Sequence, residues 1–575
     1  VAARFILAFI MNTTPCASRH SLLVHSIFAL GLAVGLSSCA DKELSAPGID
    51  AATRALRANV DTIVVIYAEN RGFDNLYGNF PGAHGLSDVV DRDGRPLPAY
   101  VPQIDRNGAP LPTLPPTWRG VTASGITPVV TEAQSAGLPN APFSIEHAFT
   151  AQSNVVLSTS TVTRDLVHRF FEHQMQIDGG KNDGFAAWSD AGGLTMGYYD
   201  SSQSALYRLA KEFVLADNFF QGAFGGSFLN HQYLICACAP VYPNADTAAA
   251  KPSIAILDTD AAGHYLPRLK QAKDAQLSAL DAAPKYAKSG NIAPGNYFGD
   301  GKFYAVNTMQ PAYQPSGNKP APTDADYLYA DPNNATTLPP QTAATIGDEL
   351  DAKHVNWIWY SGAWDAALAD GRQPPLNARQ AIYAPESPGG SPDFQAHHQP
   401  FNYYERFDPR AHAEQRAAHL KDYNALLADA AAGRLPAVAF YKPQGNLNQH
   451  PGYASVAEGD AHIAGVIAKL RASKQWPHMV IVVTYDEFGG AWDHVAPPHA
   501  DLLGPGTRIP ALIVSPFAKR GTVDHTQYDT ASILRLITRR FDLAVLPGLT
   551  RRDKELAAHG APPMGDLTNA LDLRR

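Results

Sequence analysis

At 575 residues with 45% hydrophobic content, the chain is long enough to bury a large core and has the composition of a soluble globular protein. Its formal charge of −8, without basic runs or Lys/Arg tracts interleaved with aromatics, excludes the electrostatic footprint of a nucleic-acid-binding protein. Four cysteines do not make a disulfide framework, and Cys236 and Cys238 in LICACAP read as small buried hydrophobes without partners for a metal site.

The first feature in chain order is an export signal. From Met11, the expected start, MNTTPCASRH carries a weakly basic region, an apolar run follows over about Leu22–Leu36, and Leu36-Ser37-Ser38-Cys39 has the form of a bacterial lipobox. Residues 1–39 are therefore expected to direct export to the periplasm or cell envelope, with Cys39 lipidated as the only membrane attachment. Residues 40–60 are small, polar and charged and read as a linker.

The run TIVVIYA at Thr62–Ala68 is suited to a strand buried on both faces, and it leads directly into Glu69-Asn70. Further apolar strands are expected within Leu209–Phe220, His354–Gly362, Leu435–Pro443, Met479–Val483 and Arg508–Phe517, with amphipathic helices at about Ala461–Ser473 and Thr530–Phe541. This alternation predicts an α/β fold with a mainly parallel sheet covered by helices on both faces. A catalytic domain over 61–545 and a C-terminal extension over 546–575 follow, and the Pro- and Asn-rich stretch 310–340 reads as a cover over the site.

In such sheets ligands bind beyond the carboxyl ends of the strands, so the polar groups that follow strands should converge. Asp486-Glu487 follow MVIVV as Glu69-Asn70 follow TIVVIYA. Two adjacent acids at the end of a buried strand repel each other and ordinarily have a cation beside them, and these oxygen donors suit a hard or borderline divalent ion. In AFGGSFLNHQY, Gly225 and Gly226 let Ser227 stand at a helix start, where amide donors favour an anionic phosphate. No G-x-S-x-G elbow surrounds it. His168, His398, His450 and His494 lie beside Asp, Asn, Gly or Pro in loop-like contexts and could neutralise phosphoryl oxygens or protonate a leaving alkoxide.

ENRGFDNLYGNFPG, GGKNDGF, AFGGSFLNHQ, TIGDELDAKHVNWIWYSG, QHPGYASVAEGD and TYDEFGGAWDHVAPP together resemble the bacterial phosphoesterase family that joins acid phosphatases to non-zinc phospholipases C, over about Asp61–Leu543. The resemblance implies an alkaline-phosphatase-like fold, one divalent metal ion and a phosphoenzyme intermediate. It further implies that Glu69, Asn70, Ser227, Asp486 and Glu487 hold the metal, that Ser227 is also the nucleophile, and that His168, His398 and His450 contact the phosphoryl group, with His494 in support. Gly72 stands where the family often has Ser, and Glu487 where the acid phosphatase branch favours a second Asp.

The expected activity is that of an acid phosphatase on phosphate monoesters, with an acidic optimum if charged histidines are needed. A phospholipase C acting on lipid headgroups is the alternative, set second because the chain ends soon after the last core helix and its signal lacks a twin arginine. A lipoprotein that binds a phosphorylated ligand without turnover is a third reading.

Overall fold

Two runs of seven residues with no exposed position, Thr62–Ala68 (β1) and Met479–Tyr485 (β6), lie side by side at the centre of an eight-stranded sheet. Val, Ile and Tyr dominate both, as suits strands packed on both faces. The computed structural model describes residues 49–106, 108–243, 254, 257–259, 265–267, 302–384 and 393–574. The export signal, Cys39 and residues 40–48 of the stretch read as a linker lie outside the described residues, among which no helix is long and apolar enough to cross a membrane.

The remaining strands are Val214–Ala216 (β2), Trp357–Ser361 (β3), Leu420–Asp422 (β4), Val438–Lys442 (β5), Ala511–Val514 (β7) and Thr522–Asp524 (β8). Their order is β4-β3-β5-β1-β6-β7-β2-β8, and only β7 runs against the others. The α/β fold with a mainly parallel sheet expected from the sequence is the one found. The two short strands β4 and β8 were not expected: Leu420-Lys421-Asp422 and Thr522-Val523-Asp524 are three-residue segments with polar or charged members and no apolar run.

Helices cover the sheet on both faces. Ala51–Asn59 (α1) packs against Ala531–Phe541 (α6), which packs in turn against Ser227–Cys236 (α4). Ala205–Glu212 (α3) packs against Val456–Arg471 (α5), which starts at a Ser455 cap whose side chain accepts from Glu458 N. Phe73–Tyr77 (α2) is a single buried turn just past β1.

Residues 50–60 of the expected linker and the expected C-terminal extension belong to the unit that spans Asp50–Arg575. Within the expected linker, α1 is capped by Asp50, which accepts from Thr53 N and pairs with Arg539 of α6 at 2.8 Å. Within the expected extension, Pro547–Ala558 (α7) buries Arg552, which pairs with Asp501 and Asp529 at 2.9 and 2.7 Å and donates to Gly222 O. Arg552 thereby braces the loop that leads into α4. Cys236 and Cys238 form a disulfide at the end of α4, where the sequence reading has two unbonded thiols.

Gln310–Pro311 of the irregular stretch packs against the turn Ala396–His398, and the next turn is held by Asn402 Nδ2, which donates to Tyr313 O and Pro315 O, and by the Tyr403 hydroxyl, which donates to Met309 O.

Candidate active site

The parallel register of β1 and β6 pairs Ala68 with Tyr485, so the next residue on each strand, Glu69 and Asp486, emerges side by side. Asp486 N donates to Ala68 O, and Asn70 N donates to Asp486 Oδ1 at 2.9 Å. Asn70 adopts a left-handed conformation (φ 56°), which Asn tolerates better than most residues, and it turns the chain back towards the strand end. Gly489 (φ 64°) comes so close that a Cβ there would stand 2.1 Å from Asn70 O.

Ser227 is the first residue of α4, behind Gly226 at the N-cap. A Cβ on Gly226 would meet His168 O at 2.8 Å and the His168 ring at 2.9 Å, so glycine lets the His168 segment lie against the serine. Ser227 Oγ lies 3.2 Å from Glu69 Oε2 and 3.3 Å from Asn70 Oδ1. Both are acceptors, and the hydroxyl has one hydrogen for the two. Oxygens from separate chain segments thus face one another with too few protons between them.

The histidines ring this group. His398 Nε2 is 2.7 Å from Glu69 Oε1, and His450 Nε2 is 3.9 Å from Glu69 Oε2. His168 Nε2 is 3.4 Å from Asn70 Nδ2 and 3.8 Å from Glu487 Oε1, and its ring meets that of His450 edge on at 5.8 Å. His397 reaches the Glu69–His398 group too, but the close contact to Glu69 belongs to His398. His494 stands apart, its Nδ1 and backbone N both bound to Asp74 Oδ2 at 2.6 and 2.9 Å.

Two further residues belong here that sequence reasoning did not single out. Lys442, the last residue of β5 and fully buried, places Nζ 2.6 Å from Glu69 Oε1 and donates to Ala68 O. His231, one turn along α4 from Ser227, holds its Nδ1 2.7 Å from Ser227 O and 3.8 Å from Asp486 Oδ2. A lysine ending a fully buried strand, and a histidine four positions after the serine on one helix face, were the available signals.

Charge is divided unevenly among the acids. Burial would raise the Glu69 carboxyl, but Lys442, His398 and His450 hold it well below the carboxylate range. Asp486 is pushed up to about 7 by burial and by Glu69. Glu487 is raised well above its ordinary value by burial, with His168 opposing the rise and Asp486 adding to it. Asp486 Oδ2 and Glu487 Oε1 are buried without a hydrogen-bond donor. A cluster with more carboxylate than it can keep charged, oxygen-only at its centre and short of donors, fits a divalent cation. Glu69 and Asp486 converge within 4.8 Å together with His231. Glu487 does not join that group: its Oε2 accepts from Gly489 N at 2.6 Å, and its Oε1 faces His168.

The imidazoles differ as well. Burial alone would lower His168, but Glu487, Asp165 and the Leu166 carbonyl raise it to about 9. Burial drives His398 down to about 4 against the pull of Glu69, and lowers His450. Near neutrality one cationic histidine therefore faces two neutral ones.

A serine at a helix start and converging oxygen groups at the carboxyl edge of an α/β sheet have the form of a hydrolase-type site. The model described as Phosphoesterase family matches residues 60–544, and the chain belongs to that family. Among curated relatives it is 30% identical over 180 residues to non-specific phospholipase C6 of Arabidopsis thaliana, covering 25% of this chain and 34% of that protein. It is 30% identical over 169 residues to phospholipase C B of Mycobacterium tuberculosis (25% and 31% covered) and 26% identical over 181 residues to the non-hemolytic phospholipase C of Pseudomonas aeruginosa (26% and 25%). The chain thus spans about a third or less of the length of these relatives. Among solved structures, a protein of the alkaline phosphatase superfamily from Vibrio parahaemolyticus aligns at TM-score 0.27 and 9% identity, over 62% of this chain and 64% of that one.

Proposed function

We propose that the chain is a metal-dependent acid phosphatase that hydrolyses phosphate monoesters through a phosphoserine at Ser227. The observation that carries this reading is the position of Ser227 Oγ, at the first turn of a ten-residue helix and within 3.3 Å of both Glu69 and Asn70.

Glu69, Asn70, Ser227, Asp486 and Glu487 would hold one divalent cation, which when bound lowers the serine pKa and withdraws charge from a phosphoryl oxygen. Ser227 Oγ bonds to phosphorus as the ester oxygen departs, and the hydroxyl proton has Glu69 Oε2 as its near acceptor at 3.2 Å. His168, cationic up to about pH 9, gives a proton to the departing alkoxide. The neutral imidazole then takes a proton from the water that attacks the phosphoserine, while the proton held on Glu69 returns to Ser227 Oγ as its bond to phosphorus breaks, releasing phosphate and restoring Ser227. His398 and His450 contact the phosphoryl oxygens. Burial keeps them neutral near pH 7 and they gain charge only on acidification, which supports an acid preference.

A second reading, a phospholipase C on a phosphodiester headgroup, is favoured by the phospholipase C relatives and by Glu487. The deciding experiment assays p-nitrophenyl phosphate and phosphatidylcholine with wild type and Ser227→Ala, after chelation and metal add-back. Monoester turnover that falls by about 10³-fold or more in Ser227→Ala supports the proposal. Turnover of phosphatidylcholine alone transfers the site to the second reading, and an undiminished Ala variant removes the nucleophile.

A further inference from the structure

At the edge of the sheet, β2 and β8 repeat the arrangement that β1 and β6 make at its centre. Ala216 pairs with Asp524 in parallel register, so Asp217 and His525, the next residue on each strand, emerge together. His84, from the loop after α2, completes a cluster whose ligand atoms lie within 4.8 Å of one another. From this juxtaposition we propose that His84, Asp217 and His525 form a second metal site, on the surface, for a borderline divalent ion of the zinc type.

The donor set differs in kind from that around Ser227. Two imidazoles and one carboxylate favour zinc, cobalt, nickel or copper, whereas oxygen donors favour harder ions. Asp217 is fully buried, while the His84 and His525 side chains are 63% and 51% exposed, so an ion would be anchored from below and open to solvent above. His525 Nδ1 lies 3.0 and 2.9 Å from the two Asp217 oxygens. That separation is near the ~3.3 Å between neighbouring ligands of a tetrahedral zinc with bonds of ~2.0–2.1 Å, so an ion could take the place of the proton between these two ligands, with His84 closing in from within 4.8 Å.

Supporting contacts hold the ligands in place, as second-layer partners of metal sites do. His84 N donates to Asp217 Oδ2 at 2.8 Å, and Asp88 Oδ2 stands 3.6 Å from His84 Nδ1. Arg508 Nη1 donates to both His84 O and Asp217 O at 2.8 Å, so one buried guanidinium fixes the backbone of two ligands from separate segments. The His84 and His525 rings sit 4.8 Å apart. Three strand steps of ~4.8 Å separate this pair of strand ends from the central one, so the two ions would be distinct.

The test counts zinc on the full chain after chelation and equilibrium dialysis against buffered free zinc, for wild type, His84→Ala/His525→Ala and Asp486→Asn. The double variant should bind one equivalent fewer than wild type with unchanged near-ultraviolet circular dichroism. In the Asp486→Asn background, cobalt(II) should still give the visible absorption of a nitrogen-ligated site, and adding the two alanines should abolish it. That arm reads the edge site alone, whatever becomes of the phosphatase reading. Equal zinc content in wild type and the double variant, or cobalt absorption that survives both alanines, overturns the proposal.

Discussion

Lys442 Nζ and Glu69 Oε1 lie 2.6 Å apart with neither side chain exposed. A buried cation so close to a carboxylate stabilises the charged acid but competes with any metal drawn to it. Removing one partner of a buried ion pair strands the other, at a cost of about 3–5 kcal/mol. Lys442→Met should therefore lower the stability of the metal-free protein by that order in urea unfolding, while tightening metal binding, since one competing positive charge is gone. An unchanged urea midpoint in the chelated variant would contradict this account of the pair.

Gly489 makes a sharper geometric prediction. Any Cβ there enters Asn70 O at 2.1 Å while the residue is held at φ 64°. Because the neighbour is backbone, relief requires moving Asn70 itself. Gly489→Ala should cost about 1–3 kcal/mol in backbone strain and lower kcat/KM by about 10²-fold, the scale of a 1 Å displacement. Kinetics on p-nitrophenyl phosphate and a urea titration check both.

Stability should depend on pH through a pair outside the cage. Burial would raise Asp74, but His494 and Arg508 lower it below its ordinary value. Its contribution is present above about pH 3.9 and disappears as pH falls through the lower folded value. Burial would lower His494, but Asp74 raises it. Its contribution is complete below about pH 6.5 and is lost as pH rises through the higher folded value. The pair therefore stabilises most between those limits, and His494→Gln should flatten the alkaline decline. Urea midpoints from pH 4 to 9 for both proteins test the difference; parallel curves would refute it.

The sequence showed the centre of this molecule more clearly than its margins, for physical reasons. TIVVIYA and MVIVV are apolar throughout, as only strands covered on both faces can be, so the polar residues that end them had to mark the ligand edge. Lys442 ends β5 in the same way, but a lone lysine beside Pro443 looks like the start of a surface loop until its partner is known. The helix α1 was hidden because its burial is confined to Thr53 and Leu56, and a nine-residue helix with so narrow an apolar face has the composition of a linker. Asp50 three positions before Thr53 was the cap signal that could have revealed it. The Cys236–Cys238 bond links residues two apart across the left-handed Ala237, a conformation that composition does not encode.

Chelation should abolish turnover without dismantling the fold. Far-ultraviolet circular dichroism of the stripped protein should match that of the loaded one, and activity should return on adding the metal alone, with no refolding step.

That expectation follows from the pairing of Ala68 with Tyr485. Glu69 and Asp486 are placed by a ladder of main-chain hydrogen bonds in the most deeply packed part of the sheet, and each continues it with its own amide, to Asn448 O and Ala68 O. These are amides that exchange with solvent only when the whole domain opens. Under the proposed reading the oxygens converge as the polypeptide folds, so an ion would enter last, as a passenger in a seat already built.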